Sequence, residues 1–308
     1  MKKKKVIIIV GPTAVGKTAL SIEIAHKFAG EVISGDSMQI YRHLDIGTAK
    51  IMPSEMQGVR HHLIDICDIN QRYTVYDFQQ EANRLITAIT HQQKLPLIVG
   101  GTGFYIKALV DNLNLGGDKE RQDTTNIRQD YLQKLPQIGA KGLWQLLQQR
   151  DAVAAAQIAP QNTRRVIRAL EVLDLTGQQF SQQQQQHAIF DYLIIGLATE
   201  RSLLYQRINQ RVDEMLNRGL INEAHWLYEQ RNQAPQASQG IGYKELFPYF
   251  AGEMSQIDAV ELIKRNSRRF AKRQLTYFRH QLTIHWFDLI KYPQQLQQIT
   301  ALVEKFKE

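Results

Sequence analysis

The fold is decided by the segment Gly11-Pro12-Thr13-Ala14-Val15-Gly16-Lys17-Thr18, which directly follows the apolar run 6–10 and directly precedes a helical pattern at 17–28. The segment fits the pattern G-x-x-x-x-G-K-[ST], whose glycines let backbone N–H groups turn toward phosphate oxygens. The helix N-terminus adds positive potential, Lys17 supplies a charge, and Thr18 supplies a hydroxyl for Mg²⁺. We therefore predict that all eight residues bind phosphate. The motif leaves the phosphate compound open, and ATP is only its commonest occupant.

Short apolar stretches separated by helical patterns fill the first third of the chain. This alternation of strands and helices predicts a parallel, doubly wound sheet. The fold class is therefore α/β, with a P-loop NTPase-like core. The predicted strands are 5–10, 31–35, 61–66 and 95–100, and the predicted helices between them include 17–28 and 74–92.

The alternation stops at about Leu113, and the next segment predicts a helical insertion domain. A run of glutamines, Gln182–Gln186, has no packing pattern and is typical of a loop or linker. Apolar periodicity predicts helices at 128–135, 142–149 and 164–176, a strand returning to the sheet at 192–198, and a last strand at 284–287. The predicted domains are a core at 1–114 and 189–308, with basic C-terminal helices, and the insertion at 115–188.

The composition is that of a globular protein with an excess of basic residues. The 38 Lys and Arg against 30 Asp and Glu give a formal charge of +8, which favours a polyanionic partner. The apolar run after Lys2–Lys5 is shorter than the roughly 7–15 residues of a secretory signal, and no run approaches the ~20 of a membrane span. The single cysteine, Cys67, excludes an intramolecular disulfide framework. We expect a cytoplasmic protein that does not enter a membrane, and a monomer.

A carboxylate follows the second predicted strand, at Asp36 in the segment DSMQIY (36–41). Ligands of open parallel sheets bind outside the carboxyl ends of the strands, where the phosphate loop also lies. We therefore expect Asp36 to face the same crevice. Its position is compatible with three roles: binding Mg²⁺, capping a following helix, or accepting a proton from a substrate.

Two basic clusters are candidates for an RNA surface. On a helix over 264–279, two neighbouring columns form a stripe, Lys264, Arg268 and Lys272 beside Arg265, Arg269 and Arg273. The alternative is a solvated face with ion pairs four residues apart. No Asp or Glu lies in 262–287, so the stripe favours phosphate contacts. The second cluster, Arg164, Arg165 and Arg168, is equally compatible with the polar face of a packed helix.

Several motifs together resemble one family. They are GPTAVGKT (11–18), SGDSMQIY (34–41), DIGTAK (45–50), HHLIDI (61–66), VGGTGFYIKAL (99–109), RRVIRALEV (164–172) and GIGYKE (240–245). In this order they look like the bacterial tRNA dimethylallyltransferase family (isopentenyl/dimethylallyl diphosphate:tRNA transferases), over nearly the whole chain. The resemblance implies a prenyltransferase whose P-loop holds the diphosphate of dimethylallyl diphosphate with Mg²⁺. It would transfer the dimethylallyl group to the N6 amine of the adenosine 3′-adjacent to the anticodon, in tRNAs that read codons beginning with U.

The same resemblance implies roles for individual residues. Asp36 would be the general base or the acceptor that polarises the amine, Thr13 would lie at the bridging oxygen, and Arg211 would clamp the diphosphate. Without the resemblance, Arg211 would be one exposed helix charge among several. The residues implied to contact the tRNA anticodon stem-loop are Asp36, Ser37, Met38, Gln39, Thr102, Arg128, Arg164, Arg165, Val166, Ile167, Arg168, Ser267, Arg268, Arg269, Lys272, Arg273 and Gln274.

Two other functions compete with this hypothesis. A small-molecule kinase using ATP predicts ATP turnover without RNA, and the basic stripe and DSMQIY (36–41) speak against it. A non-catalytic tRNA-binding protein with a relict phosphate loop predicts affinity without product. The presence of Thr13, Lys17, Thr18 and Asp36 speaks against that alternative.

Overall fold

The computed structural model describes residues 3–115, 121–182 and 187–308, apart from the side chains of 121–125 and 182. The glutamine run that was predicted to be a loop lies, from Gln183 to Gln186, outside these residues. The chain forms two compact units, one from Met1–Val110 and Ala188–Glu308, the other from Asp111–His187. None of the described helices is both long and apolar enough to cross a lipid bilayer.

The first unit is built on a parallel sheet, which confirms the predicted α/β fold. Its strands among the described residues are β1 Lys5–Val10, β2 Gly30–Ser34, β3 His61–His62, β4 Leu95–Gly100, β5 Asp191–Leu197 and β6 His285–Phe287. Their spatial order is β3-β2-β4-β1-β5-β6, with every neighbouring pair parallel. The strand predicted at 192–198 does return to the sheet, where it pairs with β1.

The centre of the sheet is buried on both faces, as its apolar sequence predicts. Successive side chains of a strand point to opposite faces. In β1, Val6, Ile8 and Val10 therefore enter one core, and Ile7 and Ile9 enter the other. All five are completely buried.

Helices cover both faces. The described helices are α1 Lys17–Phe28, α2 Val75–His91, α3 Gly103–Val110, α4 Arg121–Arg150, α5 Ala152–Gln157, α6 Thr163–Thr176, α7 Arg201–Asn217, α8 Leu220–Glu229, α9 Phe247–Phe250, α10 Gln256–Gln281 and α11 Gln295–Lys307. Helices α2, α3, α7, α8 and α10 contribute buried residues to the first core, and α1, α7, α10 and α11 to the second. Side-chain caps start α2 and α10: Thr74 and Asp77 form a capping box at α2, and Ser255 accepts from the Asp258 N–H at α10.

The third predicted strand was wrong beyond its first two residues. β3 ends at His62, because Leu63 (φ 59°) and Asp65 (φ 54°) adopt left-handed backbone conformations that turn the chain. Both are non-glycine residues, so the sequence carried no glycine signal for the turn.

The second unit has its own apolar core, formed by α4, α5 and α6. The two helices predicted at 128–135 and 142–149 lie within α4, where Gly139 (φ 69°, ψ 174°) interrupts the helical backbone. Helix α6 starts at Thr163, with the Asn162 side chain accepting from the Arg165 N–H, and ends at Gly177 in the left-handed conformation.

Candidate active site

The phosphate loop joins β1 to α1 and has the backbone that an anion cradle needs. Gly11 (φ 149°), Ala14 (φ 65°) and Gly16 (φ 92°) all have positive φ. A Cβ at Gly11 would lie 2.4 Å from the carbonyl oxygen of Leu197 at the end of β5, so only glycine fits. Helix α1 begins without a side-chain cap, which leaves its first N–H groups for a bound anion.

Lys17 lies in a charged group with Arg211 and Asp36. Its ammonium donates to the carbonyl oxygen of Pro12 over 2.6 Å. Burial first, and then Arg211, lower the pKa of Lys17 to about 8, while Asp36 acts in the opposite direction. Burial also lowers the pKa of the Arg211 guanidinium, while Glu214 and Asp36 raise it. Asp36 therefore acts electrostatically on both cations, as expected for a carboxylate at the same edge of the sheet.

Arg207 contacts the phosphate loop, although no sequence motif indicated this role. One turn before Arg211 on α7, it donates from Nε to the carbonyl oxygen of Ala14 over 2.9 Å. The only available signal was its four-residue spacing from Arg211, which places both side chains on one face of the helix.

Asp36 closes the turn that follows β2. Its Oδ1 accepts from the Met38 N–H at 2.8 Å and from the Gln39 N–H at 3.4 Å. No helix starts here, because residues 36–41 form bends and a turn, so the helix-cap alternative was wrong. The carboxylate nevertheless holds backbone N–H groups, as it would at a helix cap.

The loop after β4 contacts this turn. Thr102 Oγ1 accepts from the Ser37 N–H at 3.1 Å and donates to Ser37 Oγ at 3.3 Å. A Cβ at Gly100 would lie 2.3 Å from the carbonyl oxygen of Gly35, so the two loops touch through their backbones. From α10, Gln274 donates through Nε2 to the Gly101 carbonyl oxygen at 2.9 Å and is itself buried. Gln274 thus holds the loop from within.

The basic stripe on α10 is only partly open to a ligand. Lys264 pairs with Asp213 at 2.8 Å and with Glu261 at 3.5 Å, and its hydrogen bond to Asp213 raises its pKa. Lys264 is therefore paired, but by an acid of α7 and by one three residues earlier on α10, not by an ion pair four residues apart. Arg268, half-buried like Ser267, donates to Asn209 Oδ1 at 2.6 Å. The exposed basic side chains of the stripe are Arg265, Arg269, Lys272 and Arg273.

In the second unit, the residues predicted to contact RNA divide into exposed and buried ones. Arg164 and Arg165 are exposed in the first turn of α6. Val166 and Ile167 are 0% and 3% exposed, because they face the apolar core of the unit. Their side chains are turned away from solvent, so the prediction of RNA contact within this segment depends on the exposed Arg164 and Arg165.

The other two arginines of this unit that were predicted to contact RNA, Arg128 and Arg168, converge on one buried carboxylate, that of Glu171. Arg128 donates to its two oxygens at 2.5 and 3.1 Å, and Arg168 lies 3.5 Å away. Arg168 also donates to the Leu115 carbonyl oxygen at 3.4 Å. Since the Glu171 side chain is 1% exposed, Arg128 and Arg168 neutralise a buried charge.

The donors for Mg²⁺ are few. In the part of the chain that the structure describes, no group of three or more His, Cys, Asp or Glu side chains is arranged around a metal position. Mg²⁺ on a diphosphate typically takes one or two protein ligands and keeps several waters. The exposed Thr18 at the start of α1 fits that coordination.

Comparisons with known proteins show which family the chain resembles. The family model described as IPP transferase matches residues 39–281. The tRNA dimethylallyltransferase of Limosilactobacillus fermentum is 56% identical over 299 residues, which cover 97% of each chain. That of Latilactobacillus sakei is 54% identical over 292 residues, covering 95% of this chain and 94% of the relative.

Solved structures that are similar to this chain carry related names. The tRNA isopentenylpyrophosphate transferase of Bacillus halodurans superposes with a TM-score of 0.74 at 45% identity, covering 99% of this chain and 97% of that one. A eukaryotic dimethylallyltransferase, captured acting on tRNA, superposes with a TM-score of 0.81 at 30% identity, covering 98% and 79%. The family model spans most of the chain and the relatives span nearly all of it, so this protein belongs to the IPP transferase family, together with the bacterial tRNA dimethylallyltransferases.

Proposed function

We propose that this enzyme transfers a dimethylallyl group from dimethylallyl diphosphate to the N6 amine of the adenosine 3′-adjacent to the anticodon, in tRNAs that read codons beginning with U. The observation that carries the proposal is the charged group formed by Lys17, Arg211 and Asp36. It places two cations, which can stabilise an anionic leaving group, beside one carboxylate, which can accept a proton from an amine. The relatives' shared name, tRNA dimethylallyltransferase, supports the same chemistry.

The chemistry explains why both parts are needed. The lone pair of the N6 amine is delocalised into the adenine ring, so the amine is a weak nucleophile. The allylic C–O bond, in contrast, breaks readily once the charge on the departing diphosphate is stabilised. In the reaction that bond breaks, a bond forms between N6 and the allylic carbon, and N6 loses one proton. The products are the modified tRNA and pyrophosphate.

The leaving group would be held by the phosphate loop. Its backbone N–H groups, the ammonium of Lys17 and the guanidinium of Arg211 stabilise the charge that develops as the C–O bond breaks. Thr13, in the same loop, is the residue that we assign to the bridging oxygen. Mg²⁺, held by Thr18 and the diphosphate, would add Lewis-acid stabilisation of the same oxygens.

The amine would be held by Asp36. Oδ1 already accepts two backbone N–H groups, so we assign Oδ2 to the N6 proton. Accepting that proton raises the electron density on nitrogen as it attacks. Ser37, Met38, Gln39 and Thr102 belong to the loops around this carboxylate and would surround the base.

The tRNA would bind through charge and through the extruded base. We assign phosphate contacts to the exposed residues Arg269, Lys272 and Arg273 on α10 and Arg164 and Arg165 on α6. An adenine stacked in an anticodon loop cannot reach a crevice at a strand end, so the base is flipped, at least cost from an unpaired loop. We further propose that the protein acts as a monomer in the cytoplasm. The kinase and the non-catalytic alternatives are not favoured by its family.

The proposal is tested by product formation. Purified protein is incubated with Mg²⁺, radiolabelled dimethylallyl diphosphate and unmodified tRNA, and the RNA is digested to nucleosides. We expect label in an N6-modified adenosine. A matched tRNA with guanosine at the target position should remain unlabelled. Absence of label with tRNAs of every anticodon would refute the proposal, and ATP turnover against small acceptors would then be measured.

A further inference from the structure

Glu223, on α8, occupies a nest of backbone donors far from it in sequence. Its carboxylate accepts from three consecutive N–H groups: Asp45 at 2.9 Å, Ile46 at 2.9 and 3.0 Å, and Gly47 at 2.8 Å. Consecutive N–H groups that converge in this way form an anion-binding concavity. Here the anion is a side chain of the protein itself, so the segment 45–47 is held directly by α8.

Tyr243 also contacts the Glu223 carboxylate. Its hydroxyl donates to Glu223 Oε1 at 2.6 Å and also meets the backbone of Thr48. Tyr243 is completely buried, and a Cβ at Gly47 would lie 2.5 Å from its ring. Burial first, and then Glu223, raise the pKa of Tyr243, which keeps the hydroxyl protonated as a donor.

The held segment in turn fixes the turn that carries Asp36. Gln39 donates through Nε2 to the carbonyl oxygens of Thr48 and Ala49, each at 3.3 Å. This orients Gln39 Oε1 to accept from Ser34 Oγ at 3.2 Å, at the end of β2. The hydrogen bonds therefore run from Glu223 through the backbone of 45–49 to Gln39, whose own N–H is held by Asp36.

The far end of the segment is fixed as well. Lys50, only 3% exposed at its side chain, pairs with Asp45 at 2.6 Å and with Asp65 at 2.5 Å. It also donates to the Tyr41 carbonyl oxygen at 2.8 Å. Residues 45–50 are thus held at both ends, by Glu223 and by Lys50, and act as a splint along the 36–41 turn.

We propose that Glu223 is a positioning residue for the transfer reaction, which fixes Asp36 through the splint 45–50 and Gln39. The inference rests on the proposed function, because Asp36 is the group that it would position. The contacts of Glu223 are with the splint and Tyr243, whereas the phosphate loop is held by β1, α1 and Arg207. Loss of Glu223 should therefore affect the two halves of the site differently. Asp36, which would hold the amine, is misplaced, whereas the phosphate loop, which would hold the diphosphate, keeps its geometry.

The test compares Glu223→Ala and Glu223→Gln with Glu229→Ala, an exposed carboxylate on the same helix. We expect Glu223→Ala to lower the single-turnover rate with saturating substrates by about 100-fold, the scale of a 1 Å misplacement. The affinity for pyrophosphate with Mg²⁺, measured by calorimetry, should stay unchanged. Glu223→Gln should recover part of the rate, because its oxygen can still accept from Ile46, Gly47 and Tyr243.

Hydrogen exchange supplies a readout that does not depend on activity. In Glu223→Ala, amide exchange should rise in peptides covering 36–50 and stay at the wild-type level in peptides covering 6–20. Tyr243→Phe, which keeps the ring against Gly47 and removes only the hydroxyl, should give the same pattern in weaker form. It replaces Glu223→Ala if that variant does not fold.

Three outcomes would overturn the inference. They are an unchanged single-turnover rate, a pyrophosphate affinity that falls together with the rate, or exchange that rises equally across the first unit. If the wild-type protein transfers no label at all, the proposed function fails. The exchange and pyrophosphate measurements still decide whether Glu223 holds the 36–50 region independently of the phosphate loop.

Discussion

Arg207 donates a hydrogen bond from Nε to the carbonyl oxygen of Ala14 over 2.9 Å, and this bond ties α7 to the phosphate loop. Ala14 has a left-handed backbone (φ 65°), so its carbonyl points away from the direction that an extended loop would give it. Arg211 follows one turn later on the same helix. Helix α7 therefore stabilises the shape of the loop with one guanidinium and supplies charge with another.

Arg207→Ala should weaken pyrophosphate binding by about tenfold, since a hydrogen bond from a charged group contributes about 1.5–3 kcal/mol and Arg207 is exposed. The Ala14 carbonyl loses the donor that holds the loop backbone in the anion-binding shape. Calorimetric titration with pyrophosphate and Mg²⁺ measures the effect. Arg201→Ala on the same helix is the control, and equal affinities for both variants would contradict the role of Arg207.

Asp36→Asn should abolish transfer while diphosphate binding stays intact. Asparagine keeps an Oδ1 that accepts from the Met38 and Gln39 N–H groups, so the turn is preserved and only the proton acceptor is lost. Binding is compared at about pH 6, well below the Lys17 pKa of about 8, because loss of the neighbouring negative charge lowers that pKa. Near-normal turnover by the variant would show that Asp36 is not the base.

Diphosphate binding should weaken as the pH rises above about 8, the pKa of Lys17 in the free protein. The bound anion favours the ammonium, so the pKa of Lys17 rises on binding and a proton is taken up from solution. Calorimetry in two buffers of different ionisation enthalpy should detect a larger proton uptake in the wild type than in Lys17→Met, and equal uptake in both proteins would contradict the assignment. Because Arg211 lowers the pKa of Lys17, Arg211→Gln should move the fall in affinity to higher pH.

The affinity for tRNA should fall steeply with salt concentration, and the exposed residues of α10 should account for part of the slope. Arg269→Ala and Lys272→Ala should each reduce the slope of log affinity against log salt by about 1, the value of one phosphate contact. Lys264→Ala is the matched control, because its charge is already paired with Asp213 and Glu261. A flat salt profile in the wild type would exclude this stripe as the RNA surface.

Gly100→Ala should destabilise the first unit by at least about 1–3 kcal/mol, the usual cost of overpacking. Its Cβ would meet the Gly35 backbone at 2.3 Å, and neither strand end can move away cheaply. In Gly101→Ala the new Cβ meets the side-chain amide of Gln274 at 2.3 Å, which can rotate. Urea unfolding should therefore show a smaller loss for Gly101→Ala, and equal losses would contradict the argument.

The sequence was sufficient to predict the sheet and the phosphate loop, because both depend on local patterns. An apolar run before a glycine-rich loop identifies β1, and alternation with helices implies parallel strands. The extent of β3 could not be predicted, since Leu63 and Asp65 adopt a left-handed conformation that residues of their type rarely signal in a sequence. In α6 the apolar periodicity correctly indicated the packed side at Val166, Leu170 and Leu173, whereas the basic motif alone could not separate exposed from paired arginines.

The contacts that hold the site residues in place could not be predicted, because they join residues far apart in the sequence. The hydrogen bond between Arg207 and Ala14 joins residues 193 apart, and that between Glu223 and Asp45 joins residues 178 apart. The neutralisation of Lys264 by Asp213 likewise comes from another helix. Spacing rules within one helix compare only near neighbours, so a single sequence gives no signal for such pairs.

The pairing of β1 with β5 has a consequence for synthesis of the chain. Lys5 to Val10 hydrogen-bond with residues 191–196, so one edge of β1 has no partner until the ribosome has passed the Asp111–His187 unit. At about 5–20 residues per second, the interval between β4 and β5 lasts roughly 5–20 s. During that time an apolar strand edge is open to pairing with other nascent chains, whereas the Asp111–His187 unit can close on its own core. Aggregation during expression should therefore depend on the elongation rate between residues 100 and 191, more than on the stability of the finished protein.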